Sequence, residues 1–343
     1  MNTVNGSSDR IEWIDFAKGI AIILVIIGHT VDGVFRGMIF SFHMPLFFIL
    51  SCVTFKYSEN DDQFRKTTKK GFKHLIIPAI TMFFIDIIIS VVKDPSTVAN
   101  SELLKSKIIN DLLSLLFANG VDTYFIDTRI PAIGIIWFLF VLFEGRTLFD
   151  YLNLKLTSRK LILYSLFLSI AGVIFGRMFS FPLSFDIALA IFPLLLIGKN
   201  YGVLNVENNS GIKLLLSFAS WLLCFLIPFS VSSSYMELTY RRYTFYPFCY
   251  VIAFLGTLMI SELGVICCRA PFIAKPIVYL GKNSLYMLCI HILDYPLWPW
   301  TFNWSQHPIL NAITRVIADL VVFTILMLTK SIYEGIKKQN QQV

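Results

Sequence analysis

Charged side chains are scarce in this chain: its 343 residues include 29 Lys or Arg and 22 Asp or Glu, 15% in all. A soluble globular domain usually carries about 25%. Hydrophobic residues make up 56% of the sequence, and the mean hydropathy is +0.69. This composition excludes a soluble enzyme and predicts an integral membrane protein whose main partner is the lipid bilayer. The net charge of +7 does not indicate nucleic-acid binding, because much of it lies in one loop and at the C-terminus.

Several motifs are also absent. The six cysteines show no Cys-x-x-Cys spacing, so the sequence predicts no metal site. The N-terminus is polar and the first apolar run lacks a small-x-small cleavage site, so we expect this run to remain in the protein. No soluble domain, low-complexity tract or internal repeat is visible. The sequence therefore predicts one transmembrane domain over residues 1–335 and a short polar cytoplasmic tail over 336–343.

Apolar runs of about 20 residues, the length needed to cross a bilayer, predict an all-α polytopic membrane protein with about ten transmembrane helices. The predicted spans are 13–33, 38–55, 74–92, 132–151, 160–178, 183–199, 212–231, 244–262, 276–293 and 308–330. Lys and Arg concentrate in alternate loops, which indicates that both termini are cytoplasmic. Leucines at helical spacing in the loop 93–129 predict an interfacial helix, which either covers a substrate entrance or packs on the rim of the bundle.

The first span carries ionisable side chains within an apolar run. Asp15 and Lys18 lie near its start and His29 near its end. Lys18 and His29 are eleven residues apart, which is three turns plus about 20°, so they share one helix face about 16 Å apart. Because ionisable groups are costly in hydrocarbon, we expect this face to line a cavity. His29 is a candidate general base, and a hydrogen bond between helices is its alternative role.

Other polar residues accompany this face. Asp32 follows His29 by three residues and is expected to reach the same helix face and orient the imidazole. His43 begins the second span near the same end, where it either shares proton handling with His29 or caps the helix. We expect Arg315 and Asp319 to pair within the last span. Glu144 and Arg146 lie deeper in the fourth span, and Asp86, Arg177 and Asp186 are further candidate cavity residues. The ninth span mirrors the first, with Lys282 near its inner end and His291 near its outer end, so His291, like His43 and Asp32, is a candidate to complete the site around His29.

A basic cluster precedes the third span. It reads Arg65-Lys66-Thr67-Thr68-Lys69-Lys70-Gly71-Phe72-Lys73-His74 and lies on the predicted cytoplasmic side. The orientation rule alone explains positive charge at this position. The alternative is a docking patch for phosphates, for which lysine is a common partner.

These motifs resemble acyltransferase family 3, which includes bacterial membrane O-acetyltransferases of surface polysaccharides, and within it the fucose 4-O-acetylase-like branch. The resemblance covers nearly the whole chain. It rests on Trp13-Ile14-Asp15-Phe16-Ala17-Lys18-Gly19, the pair Lys18 and His29, Ser41-Phe42-His43-Met44-Pro45-Leu46-Phe47-Phe48, Trp137-Phe138-Leu139 and Gly281-Lys282-Asn283-Ser284-Leu285-Tyr286. Two departures are Lys70-Gly71-Phe72-Lys73, where the family often has Arg-x-x-Arg, and Ser51-Cys52, where it usually has Ser-Gly.

The resemblance implies transfer of an acyl group, usually acetyl, from cytoplasmic acyl-CoA to a hydroxyl of a cell-surface glycan or a lipid-linked saccharide, in the bacterial plasma membrane. His29 matches the essential histidine of the family and Lys18 its basic partner. The phosphates of acetyl-CoA would bind near Lys70 and Lys73, and no metal is implied. The candidate catalytic residues are His29, Lys18, Asp15 and His43, and the candidate donor-binding residues are Lys70, Lys73, Lys66 and Lys69.

A second function is compatible with the same motifs. The membrane domain of membrane serine racemases is similar, and in that family it is assigned to serine supply, so transport of a small solute is the alternative. No racemase domain follows the last predicted span, which favours acyl transfer. The intact pair of Lys18 and His29 argues against a degenerate scaffold.

Overall fold

The computed structural model describes residues 11–125, 127–204, 211–297 and 307–340, and it is about 82% helical. Its helices and strands, in chain order, are α1 (Glu12–Gly28), α2 (Gly33–Phe40), α3 (His43–Val53), α4 (Asp61–Gly71), α5 (Ile77–Lys93), α6 (Ser96–Ala99), α7 (Ser101–Phe117), β1 (Thr123–Phe125), β2 (Thr128–Ile130), α8 (Trp137–Lys155), α9 (Ser158–Met178), α10 (Phe185–Ala190), α11 (Phe192–Asn200), α12 (Gly211–Ser232), α13 (Phe248–Cys267), α14 (Pro271–Lys282), α15 (Ser284–Leu297) and α16 (Pro308–Asn340). Residues 341–343 of the predicted tail lie outside the described residues.

Several of these helices are long and apolar enough to cross a bilayer. Within the described residues they are Gly33–Val53, Asp61–Lys93, Ser158–Met178, Gly211–Ser232, Phe248–Cys267 and Pro308–Lys337, and the pair Pro182–Ala190 and Phe192–Asn200, bent by 53°, is a seventh candidate. Helices satisfy their own backbone hydrogen bonds, as a lipid environment requires. The chain is therefore an all-α, multi-pass membrane protein. The count of ten spans and the side of the termini stay predictions.

Several predicted spans are interrupted in the structure, and two of these breaks have a local cause in the sequence. The first ends at Gly28, with His29 as its C-cap, and the chain turns before Gly33, whose φ of +64° only glycine adopts readily. The sixth bends at Ile191, because Pro193 in the first turn of α11 supplies no backbone N–H to the preceding turn. The first break turns the chain at the end of α1 and leaves His29 outside the helix.

Helix α1 lies at the centre of the bundle, packed against α3, α13, α14 and α16. Its closest neighbour is α14, and two glycines make this contact. A methyl group on Gly281 would overlap the carbonyl oxygen of Asp15, and one on Gly19 would overlap the carbonyl oxygen of Ile277. Small residues allow membrane helices to approach backbone to backbone in this way. As a result, the end of α14 is fixed against the first turns of α1.

A buried ion pair ties the loops at the opposite end of the bundle. Arg241 donates from Nε to Asp186 Oδ2 at 2.9 Å and from Nη2 to Asn119 Oδ1 at 2.6 Å. Ser184 donates to the same Asn119 Oδ1 at 2.9 Å. This network therefore joins three segments of the chain. Arg241 lies in the loop after α12, Asp186 at the start of α10 and Asn119 at the end of α7.

The interfacial helix expected in the loop 93–129 is α7. Its Ser114 and Phe117 are buried, whereas Leu103, Leu112 and Leu116 are exposed. It packs on β2 and on the turn before α10, and none of its residues lines the two cavities described below. This position favours packing on the rim over a lid.

Candidate active site

Two adjoining cavities occupy the interior of the bundle. The first, about 230 Å³, is lined by the cations of Lys18, Arg146 and Lys282, and we refer to it as the basic cavity. The second cavity, about 740 Å³, has three histidines in its wall, and we refer to it as the histidine cavity. Its lining includes His29, His43, His291, Arg36, Asp86, Glu237, Asn311 and Arg315. Val25, Met44 and Ile135 line both cavities. The two cavities thus meet at the middle of α1, with Lys18 on one side and His29 on the other.

The basic cavity combines positive charge with apolar walls. Lys18 comes from α1, Lys282 from the end of α14 and Arg146 from α8, so the glycine contact between α1 and α14 brings the two lysines to one site. The Arg146 guanidinium lies over the ring of Phe55, 4.6 Å from its centroid. Cations grouped between apolar walls raise the local concentration of an anionic ligand.

The lysines proposed to bind phosphate lie outside this cavity. Lys66, Lys69 and Lys70 are on the exposed face of α4, and Lys73 follows in the exposed π-helical turn Phe72–Ile76. Within the described residues, Leu75 of the same turn lines the basic cavity, and a second link between the two regions is Arg146. It lines the basic cavity and also a small pocket beneath Thr67, Thr68 and Gly71 of α4.

The histidine cavity places His29 and His43 together, as the sequence suggested. The side chain of His29 is exposed to the cavity, and its ring centroid lies 5.9 Å from that of Phe40. His43 is buried, and its Nδ1 lies 2.9 Å from the carbonyl oxygen of Ile39. A carbonyl only accepts, so Nδ1 carries the proton and Nε2 keeps its lone pair.

A third histidine lies beside His29. The ring centroids of His291 and His29 are 5.7 Å apart. His291 Nδ1 lies 3.0 Å from Asp294 Oδ2 and 3.1 Å from Asp319 Oδ2, and Arg315 Nε donates to Asp294 Oδ2 at 3.0 Å. All four side chains of this α15–α16 network are buried.

Charged loops form the rim of the histidine cavity. Arg36 donates to Glu237 Oε1 at 3.0 Å, joining α2 to the loop after α12. Asp122, beside the β1–β2 hairpin, accepts from the backbone N–H of Ala132 at 2.8 Å. The hydrogen bond from Arg129 holds the pKa of the Asp122 carboxyl below its usual range. These contacts fix the loops whose residues line the cavity.

Three sequence expectations need correction or restriction. Asp32 does not share a helix face with His29, because α1 ends before it; its side chain is 93% exposed and lies 3.9 Å from Arg36. Asp15 is buried in the contact between α1 and α14 and lines neither cavity. Arg315 and Asp319 both reach α15 as well, Arg315 through Asp294 and Asp319 through His291, so they belong to a larger network than one pair along a helix.

The sequence offered His291 as one candidate to complete the site around His29, and it gave Arg146 no role. Several of their neighbours lie on other helices, Asp319 on α16 for His291, and Lys18 and Lys282 on α1 and α14 for Arg146. One signal was present for His291: Asp294 follows it by three residues, a spacing that places both on one helix face.

Residues 11–332 match the family model described as an acyltransferase domain. The chain is a member of acyltransferase family 3. No curated protein and no solved structure matches it. Membership indicates that this acyltransferase works in a membrane, in agreement with its helices. The match extends from the start of α1 into α16 and so includes both cavities.

Proposed function

We propose that this acyltransferase is a membrane O-acetyltransferase. It transfers acetyl from cytoplasmic acyl-CoA to a hydroxyl of a cell-surface glycan or a lipid-linked sugar, with His29 as the general base. The observation that carries the proposal is the meeting of the two cavities at Val25, Met44 and Ile135. A donor in the basic cavity and an acceptor in the histidine cavity would meet there, which supplies the proximity that acyl transfer needs.

The donor side is supported by its charge. CoA carries phosphates at one end and the thioester at the other. We place the phosphates at Lys70 and Lys73, with Lys66 and Lys69 nearby, because these exposed lysines are free to contact a soluble anion. The pantetheine arm passes Arg146 and enters the basic cavity beside Lys18.

The acceptor side is supported by size and polarity. A cavity of about 740 Å³ lies within the range of small-molecule sites. Asn311 is buried, and its Oδ1 has no hydrogen-bond partner in the described part of the chain. A hydroxyl group of the acceptor would donate a hydrogen bond to this oxygen. A sugar hydroxyl is also the acceptor expected of the fucose 4-O-acetylase-like branch.

The direction of transfer follows from the charge distribution. Ten spans with both termini in the cytoplasm of a bacterium would place the lysines of α4 inside and the histidine cavity toward the outer face. Donor and acceptor would then arrive from opposite sides of the plasma membrane.

Labelled acetyl transfer tests the proposal. Inside-out membrane vesicles containing the wild type or His29→Ala receive acetyl-labelled CoA, and label is followed into glycan and lipid fractions. We expect H29A to lose about 100-fold or more of the rate, the typical contribution of a general base. His307→Ala, which removes an exposed histidine that lines neither cavity, is the matched control and should transfer normally.

Two results would contradict the proposal. Equal transfer by H29A and wild type would remove His29 as the base. Absence of transfer in the wild type, together with labelled serine uptake that H29A abolishes, would support the transport function.

A further inference from the structure

His291 has an unsatisfied polar atom at the centre of the proposed site. The residue is 1% exposed and lies in the wall of the histidine cavity. Its Nδ1 has two carboxylate partners, yet its Nε2 has none in the described part of the chain. A buried polar nitrogen without a partner is costly and calls for an explanation. A ligand in the cavity would provide the missing partner.

The charges around His291 decide which way this hydrogen bond runs. Asp294 and Asp319 bring two negative charges, and Arg315 brings one positive charge. With both carboxyls ionised, the buried network is neutral when His291 is an imidazolium, and burial penalises a net charge. Both ring nitrogens then carry protons, and Nε2–H is a donor. The other ionisable residues of the cavity wall are His29, His43, Arg36, Asp32, Asp86 and Glu237.

A metal ion is the competing explanation of the same cluster. The ligand atoms of His291, Asp294 and Asp319 lie within 4.8 Å of one another. However, the Arg315 guanidinium already contacts both carboxylate oxygens of Asp294. The positive charge that a cation would supply is thus present in the chain itself.

We propose that His291 is the oxyanion donor of the acyl transfer: its Nε2–H donates to the thioester carbonyl oxygen as negative charge develops there. The assignment rests on the proposed function. The ring centroids of His291 and His29 are 5.7 Å apart. A reacting group bound beside both rings would be within reach of the base and of the donor, as such chemistry requires.

The chemical step balances with these two histidines. The acceptor oxygen attacks the thioester carbon, and a ring nitrogen of His29 takes the hydroxyl proton. The carbonyl electron pair moves to oxygen, where His291 Nε2–H stabilises it. The intermediate collapses, the carbon–sulfur bond breaks, and the CoA thiolate leaves and receives the proton from His29. The orientation and the protonated state of the His291 ring are maintained by Asp294, Asp319 and Arg315.

The test separates kcat from the KM for acetyl-CoA. Inside-out vesicles with endogenous acceptor receive increasing concentrations of acetyl-labelled CoA. Loss of one oxyanion donor typically lowers kcat by about 100-fold or more, so we expect this loss in His291→Ala, with KM within about threefold of wild type. His291→Gln keeps an N–H donor and should retain at least about tenfold more activity than H291A. Asp319→Asn keeps the shape and should lower kcat by about tenfold.

Lys330→Met is the matched control. It removes a different polar contact between α15 and α16, the 3.1 Å hydrogen bond from Lys330 to Tyr286, and should leave kcat unchanged. If H291A does not yield folded protein, the comparison of H291Q, D319N and K330M carries the test.

Four outcomes overturn the inference while the wild type remains active. They are a kcat in H291A within threefold of wild type, a loss confined to KM, equal losses in H291Q and H291A, and inactivation by EDTA that a divalent metal reverses. A wild type that transfers no acetyl refutes the proposed function itself.

Discussion

Gly281 packs directly against the carbonyl oxygen of Asp15, so that α14 and α1 touch backbone to backbone. This contact explains why both residues lie in motifs that resemble the family. It places Lys282 in the wall of the cavity that Lys18 also lines. Asp15 lies buried at this contact, and its catalytic role stays a prediction.

Replacement of Gly281 by alanine should destabilise the protein. The added methyl group overlaps backbone, which cannot move away as a side chain can. Overpacking of this kind costs typically about 1–3 kcal/mol. Thermal unfolding in detergent should therefore show a lower Tm for G281A. Gly335→Ala is the control, because a methyl group there meets no atom within 4 Å and alanine favours a helix. Equal Tm values for G281A and wild type would contradict the close contact.

Charge removal at the donor site should raise the KM for acetyl-CoA. Lys70→Ala with Lys73→Ala, and separately Arg146→Met, should each raise KM by about tenfold, since a charge-assisted hydrogen bond is worth roughly 1.5–3 kcal/mol. The kcat should change little in the lysine double variant, because these side chains are far from the thioester end of the donor. Lys337→Ala removes an exposed charge at the end of α16 and serves as the control. An unchanged KM in K70A/K73A would indicate that the basic cluster only sets the orientation of the protein in the membrane.

His43 can be tested by two amides of different length. Asparagine places its amide near Nδ1 and can keep the hydrogen bond to Ile39, whereas glutamine reaches the position of Nε2. If His43 shares proton handling with His29, His43→Asn should lower the rate of acetyl transfer by at least about tenfold. His43→Gln should lower it as well, since an amide does not exchange protons. Full activity in H43N would assign His43 to packing.

The buried pair of Asp186 and Arg241 should show strong coupling. Arg241→Met leaves the Asp186 carboxylate buried without its partner, which costs about 3–5 kcal/mol. Asp186→Asn removes the charge and should restore part of the loss in the double variant. A double-mutant cycle of unfolding free energies measures this coupling. Additive losses would show that the two side chains stabilise the fold independently.

The sequence by itself determined the class of protein and most of its helices. Long apolar runs fix membrane helices because lipid leaves the backbone no other partner, and each predicted span coincides with a helix or a broken pair of helices. The motifs also gave the family, which the match over residues 11–332 confirms. Lys18 and His29 were found because the predicted first span contains both, and the 100° period of a helix relates them directly, although in the structure His29 is the C-cap of α1.

Only the tertiary structure decided which polar groups meet. His291 lies beside His29 because α15 packs near the end of α1, and Arg146 reaches the cavity of Lys18 because α8 crosses there. No sequence period relates residues on different helices. The end of α1 at Gly28 likewise became visible only in the structure, and it places Asp32 beyond the helix that ends before His29. The first helix thus supplies one residue to each of two cavities, and the partners of both residues come from helices far away in the sequence.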